Sequence, residues 1–150
     1  MRMYATIKLT MPKTEPFTVR LDPRIESRIS QIARETKKSK GAVLEELADE
    51  AERARRFPGI AFRGTGWSRR AWVIGTSLDV WEIIQALKDY GGSSKRLLAG
   101  TDLAPRQLNI ALAYYREFAR EIDEAIAVNG RTIGELKTEY PFLETLTIPE

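Results

Sequence analysis

The run Phe17-Thr18-Val19-Arg20-Leu21 alternates apolar and polar side chains, and Asp22-Pro23 follows it without a spacer. Alternation of period two marks a strand with one covered face. Asp22 then Pro23 is a helix start: the carboxylate can accept an end N–H, and proline lacks only an N–H that the first turn leaves unbonded anyway. Ile25, Ile29 and Ile32, with Ala33 beside them, keep helical spacing and predict a helix to about Thr36. Lys37-Lys38-Ser39-Lys40-Gly41 breaks it, and Ser39 is placed to cap a second helix with an apolar face of Val43, Leu44, Leu47, Ala48 and Ala51, ending near Arg55. A strand and two helices over 16–56 are too small to bury a core alone, so this unit calls for a second copy of itself.

The rest of the chain bounds the chemistry. With 150 residues there is room for one ordinary domain or two small ones. There is no cysteine and no histidine, which excludes disulfides, thiolate metal sites and Ser-His-Asp or Cys-His catalysis. No enzyme, cofactor or metal is expected. Glu45, Glu46, Asp49, Glu50 and Glu52 are read as a solvated helix face. No apolar run approaches the roughly 20 residues of a membrane helix, and the opening residues do not read as a signal peptide, so a cytoplasmic protein is expected. Charge is uneven: 13 Lys and Arg against 9 Asp and Glu in 1–56 (+4), 9 against 8 in 57–129 (+1), and 2 against 4 in 130–150 (−2). A basic head and an acidic tail point to different partners for the two ends.

Beyond Phe57-Pro58-Gly59, two short apolar runs flank Thr65-Gly66-Trp67-Ser68 and predict a hairpin. Gly64 and Gly66 belong to its turn and not to a nucleotide loop, since the strand-to-helix context is missing. A helix over 77–90 follows, with Leu78, Trp81, Ile84 (or Ile83) and Leu87 as its apolar face, then a short helix at 94–100. A single long helix is predicted from Pro105 to Val128, with Leu108, Leu112, Tyr115, Phe118 and Ile122 inward, ended by Asn129-Gly130. Residues 4–11 also alternate, placing Thr6, Lys8 and Thr10 on one face, but no helix follows them at once. They are read as part of an N-terminal extension, 1–15.

The order strand, Asp-Pro helix, Ser-Lys-Gly turn, second helix resembles the ribbon-helix-helix repressors of the Arc, CopG and ParD type, over 16–56. That resemblance implies an obligate dimer whose strands pair into an antiparallel ribbon. Phe17, Val19, Leu21, Ile25, Ile29, Leu44 and Leu47 would form the dimer core. Thr18 and Arg20 would read bases, because a two-stranded ribbon fits the DNA major groove and arginine matches guanine O6 and N7. Lys38, Ser39, Lys40 and Gly41 would hold phosphate at the second helix's start. The third polar slot on the strand is Pro16, so readout rests on two side chains per chain, or draws on Lys13 and Glu15.

Residues 59–125 resemble a second family, domain of unknown function 433, through Ile74-Gly75-Thr76, Val80 to Ile84, Pro105 and Ala111-Leu112-Ala113-Tyr114-Tyr115. That family is similar to helix-turn-helix domains and is often paired, in VapB-type antitoxins, with PIN-type ribonuclease toxins. Its capping Thr or Ser is Ala104 here, so the cap must come from elsewhere, with Asp102 the candidate. With a local charge of only +1, 57–129 reads better as a packing or dimerisation module than as a second DNA reader led by Arg106 and Gln107. The acidic tail 130–150 carries Tyr140, Phe142, Leu143 and Leu146, apolar anchors suited to a toxin groove or to packing on its own domain.

The expected architecture is therefore mainly α with short β: a ribbon-helix-helix dimer followed by a small hairpin and a three-helix, helix-turn-helix-like domain. The expected function is a DNA-binding antitoxin that represses its own operon and neutralises a PIN-like ribonuclease toxin. Its expected partners are itself (a homodimer or a higher assembly), operator DNA and the toxin, with no membrane. The alternative is a stand-alone repressor with a sensing or oligomerising C-terminal domain.

Overall fold

The computed structural model describes residues 15–130. It is mainly helical with one short antiparallel sheet, in the order α1 (Pro23–Thr36), α2 (Lys40–Arg56), β1 (Ile60–Arg63), β2 (Arg70–Val73), α3 (Val80–Asp89), α4 (Ser94–Gly100), α5 (Pro105–Glu117) and α6 (Ala119–Asn129). Residues 1–14 of the N-terminal extension and the tail beyond Gly130 lie outside the described residues.

Local chemistry sets the first two helices. Arg24 N–H donates to the Asp22 carboxylate at 2.9 Å, and Pro23 sits at the first helical position. At the other end Lys37 adopts the left-handed region, φ 55°, and its N–H donates back to the carbonyls of Ala33 and Arg34. Ala42 N–H donates to Ser39 Oγ at 3.1 Å and starts α2. α1 and α2 close on a small cluster of their own: Ile29, Ala33 and Val43 are buried, with Leu21, Ile32 and Leu44 packed against them. The strand expected at 17–22 does not form in the single chain, where this stretch has no regular secondary structure and residues 15–20 are exposed.

The hairpin forms as its sequence predicts, in the register Ile60↔Val73, Ala61↔Trp72, Phe62↔Ala71 and Arg63↔Arg70. Gly64 is required in its turn: φ is 90°, and a Cβ there would fall 2.4 Å from the carbonyl oxygen of Ser68. Arg63 ties the hairpin to α3, donating to Asp79 from Nε at 2.7 Å, and its guanidinium lies 5.2 Å from the Trp72 ring centre. A second cluster joins the hairpin to α3–α6 through Phe57, Ile60, Ala71, Val73, Val80, Ile83, Ile84, Leu97, Leu108, Ala111, Tyr114 and Ile122.

Four expectations for the second module are corrected. α3 begins at Val80 and buries Val80, Ile83 and Ile84, while Leu78, Trp81 and Leu87 are only half-buried at its edge. α5 buries Leu108, Ala111 and Tyr114 in place of Leu112 and Tyr115. The single helix over 105–128 is two helices, broken at Phe118 (φ −114°, ψ 35°). No Gly or Pro causes the break. The Phe118 ring instead packs 4.6 Å from the Tyr114 ring centre and 6.0 Å from that of Phe57, beneath the Arg53 guanidinium at 4.0 Å. The α5 cap is also not Asp102. Ala104 N–H donates to Gln107 Oε1 at 2.9 Å, one half of a capping box.

Among the described residues no helix is long and apolar enough to cross a membrane.

Candidate dimer and nucleic-acid interface

The single chain leaves residues 15–20 exposed, apolar and polar alike. Thr18 and Arg20 are exposed, as a groove-reading pair must be. Their apolar neighbours are uncovered too: Phe17 is 84% exposed and Val19 48%. Leu21 alone turns into the small cluster. Ile25 is 53% exposed and Leu47 39%, and with Ile29 and Ile32 they line an open groove of about 450 Å³ between α1 and α2, flanked by Arg24 and Arg28. The seven predicted dimer-core residues thus divide. Leu21, Ile29 and Leu44 already pack within one chain, while Phe17, Val19, Ile25 and Leu47 face outward with no cover among the described residues.

At the start of α2, Val43 N–H donates to the Ser39 carbonyl at 3.1 Å and Ala42 N–H to its hydroxyl, leaving the N–H groups of Lys40 and Gly41 at the open helix end. The space over Gly41 is clear: an added Cβ would find nothing nearer than Ser39 Oγ at 3.9 Å. The lysines are already engaged. Lys38 Nζ bonds to Glu46, and Lys40 Nζ to Glu26 on α1. The bond from Lys40, with another from Ser30, holds the Glu26 carboxyl below its usual pKa. A phosphate at this end would have to replace these carboxylates at exposed ammonium groups, an exchange that costs little because exposed pairs are weak.

The acidic face of α2 is spent on ion pairs. Asp49 lies 2.9 Å from Arg53 Nε, Glu52 3.3 Å from Arg56, and Glu50 accepts from Arg69 on the hairpin at 2.5 Å. Among the described residues no group of three His, Cys, Asp or Glu could hold a metal ion. Gln107 is committed to the α5 cap and to the Gly75 carbonyl at 3.4 Å, and Arg106 is exposed. Tyr140, Phe142, Leu143 and Leu146 lie outside the described residues.

One feature was not anticipated from the sequence. The Arg53 side chain reaches from α2 into the second cluster, where Nη1 donates to Tyr114 Oη at 2.8 Å and to Glu121 at 2.7 Å. Tyr114 Oη donates in turn to Glu121 at 3.0 Å. Burial opposes the charge on Arg53, but the bonds to Glu121 and Tyr114 outweigh it and raise its pKa. Burial, with the Glu121 charge beside it, also pushes the Tyr114 phenol upward. Nothing local in the sequence links these residues, because the contacts span 61 and 68 positions.

No family model, curated protein or solved structure matches this chain.

Proposed function

We propose that the protein is a homodimeric ribbon-helix-helix DNA-binding protein acting as an antitoxin: it represses its own operon and neutralises a PIN-like ribonuclease. The observation that carries the DNA-binding half is an uncovered apolar set, Phe17 and Val19 alternating with exposed, polar Thr18 and Arg20, together with Ile25 on α1 and Leu47 on α2. A second copy related by a two-fold axis covers the first set and doubles the second into a four-residue reading surface. Lys38, Ser39, Lys40 and Gly41 fix the register on phosphate. Residues 16–56 serve as the DNA-binding and dimer unit, 57–129 as the packing module and 130–150 as the toxin-binding tail. The antitoxin half is supported by the family resemblance of 59–125 and by the acidic, aromatic tail.

Operator fragments selected from genomic DNA test this. Arg20→Ala should weaken binding to the selected site about 5- to 150-fold, relax its sequence preference and leave the dimer intact. Lys38→Gln with Lys40→Gln should lower affinity for all sequences alike and flatten the salt dependence. Unchanged operator affinity in Arg20→Ala removes the ribbon assignment. Deleting 130–150 should spare DNA binding and abolish rescue of cells expressing the PIN-like ribonuclease that the full chain neutralises; rescue by the truncated chain removes the tail's role.

A further inference from the structure

Arg53 belongs to two units at once. Its backbone lies in α2, whose apolar face carries the uncovered Leu47, and its guanidinium lies between α5 and α6 on the second cluster. Glu50, Arg53 and Arg56 follow one another at helical spacing on α2, and each reaches across: Glu50 to Arg69, Arg53 to Tyr114 and Glu121, Arg56 to Glu117. Of the three crossing arginines only Arg53 is well shielded, its side chain 18% exposed against 38% for Arg69 and 45% for Arg56. Exposed pairs contribute little, whereas a shielded guanidinium with two acceptors and an aromatic ring beneath it has no equivalent alternative placement. Leu47 and Arg53 are about 9 Å apart along a continuous helix. A partner that holds Leu47 therefore also restrains the helix that carries the clasp.

We infer that Arg53 is a positioning residue that couples α5 and α6 to the dimer state of α2, so that dimer formation stabilises the second cluster along with the first. This rests on the dimer proposed above. By reciprocity, whatever stabilises the clasped arrangement of α5 and α6 favours the dimer by the same factor.

The tryptophans supply the test, since Trp67, Trp72 and Trp81 all follow α2 in the chain and none precedes it. Thermal unfolding of the full chain is followed by tryptophan fluorescence and far-ultraviolet circular dichroism at two concentrations about 100-fold apart, with sedimentation equilibrium alongside. In the wild type both midpoints should rise together by several degrees at the higher concentration. In Arg53→Met the dimer should persist, the tryptophan midpoint should stop responding to concentration, and the dichroism should split into two steps. Glu121→Gln, which alters the clasp from the other side, should reduce the response in the same direction, and Arg56→Met should behave as wild type. A concentration-dependent tryptophan midpoint in both Arg53→Met and Glu121→Gln overturns the inference. So does a wild-type tryptophan midpoint that ignores concentration while sedimentation shows a dimer. A monomer at every concentration removes the dimer proposal itself, and the linkage with it.

Discussion

Phe17→Ala is the sharpest probe of the proposed dimer. The ring is 84% exposed in a single chain, so removing it leaves the fold of that chain almost untouched. In a ribbon the ring is covered. Truncating a covered Phe to Ala costs about 3 kcal/mol at the low end of the measured range. Scaled by the exposed fraction, the loss on association is about 2.5 kcal/mol per chain and about 5 kcal/mol per dimer. At about 1.4 kcal/mol per factor of ten, the dimer dissociation constant should rise by three to four orders of magnitude. Sedimentation equilibrium or dilution-dependent fluorescence anisotropy measures this directly, and the near-ultraviolet signal of 57–130 should not change. A shift smaller than about tenfold, with the dimer still present, would place Phe17 outside the interface and refute the ribbon packing.

Three further substitutions test the fold and its junction. Gly64→Ala should cost about 1–3 kcal/mol in thermal or denaturant unfolding, since it combines a left-handed φ with a backbone collision at Ser68. Tyr114→Phe removes the hydroxyl shared by Arg53 and Glu121 without changing ring packing, and should lower stability by about 1–3 kcal/mol with the helical content retained. Asp123 has its carboxyl held below the usual range by bonds from Lys88 and Tyr115. A lowered folded-state pKa contributes stability above the unfolded value, and that contribution disappears as pH falls through the folded one. Asp123→Asn should therefore narrow the gap between the stabilities measured at neutral and strongly acidic pH, and an unaltered acid profile would count against that bond network.

The helix boundaries at Asp22-Pro23, Ser39 and Asn129-Gly130 were legible because caps and breakers act within a few residues. The inward faces of α3 and α5 were less so. Large side chains drew the expected row through Leu112 and Tyr115, but the helix buries Ala111, fully covered, beside Tyr114. A buried alanine carries no weight in a pattern of bulky residues, yet its small size is what lets another helix approach. The break at Phe118 was hidden for a related reason: its ring packs on Phe57, distant in sequence, and no local breaker residue announces it. Asp102 was the nearest side chain able to cap α5, whereas the bond comes from Gln107 within the helix. The alternation at 17–21 suggested an interface, but the single chain leaves Phe17 to Arg20 exposed and without strand structure. The arginine clasp was not legible, since Arg53 in a helix's last turns reads equally well as a partner for the helix dipole.

Ile29, Ala33 and Val43 are the only buried side chains between α1 and α2 among the described residues. So thin a core opens often, and an opened segment is what a protease cuts. Under the proposed dimer, paired chains keep this unit shut and solitary chains do not. On that proposal the lifetime of each molecule depends on the concentration of its mate, and dilution makes every remaining chain easier to cut.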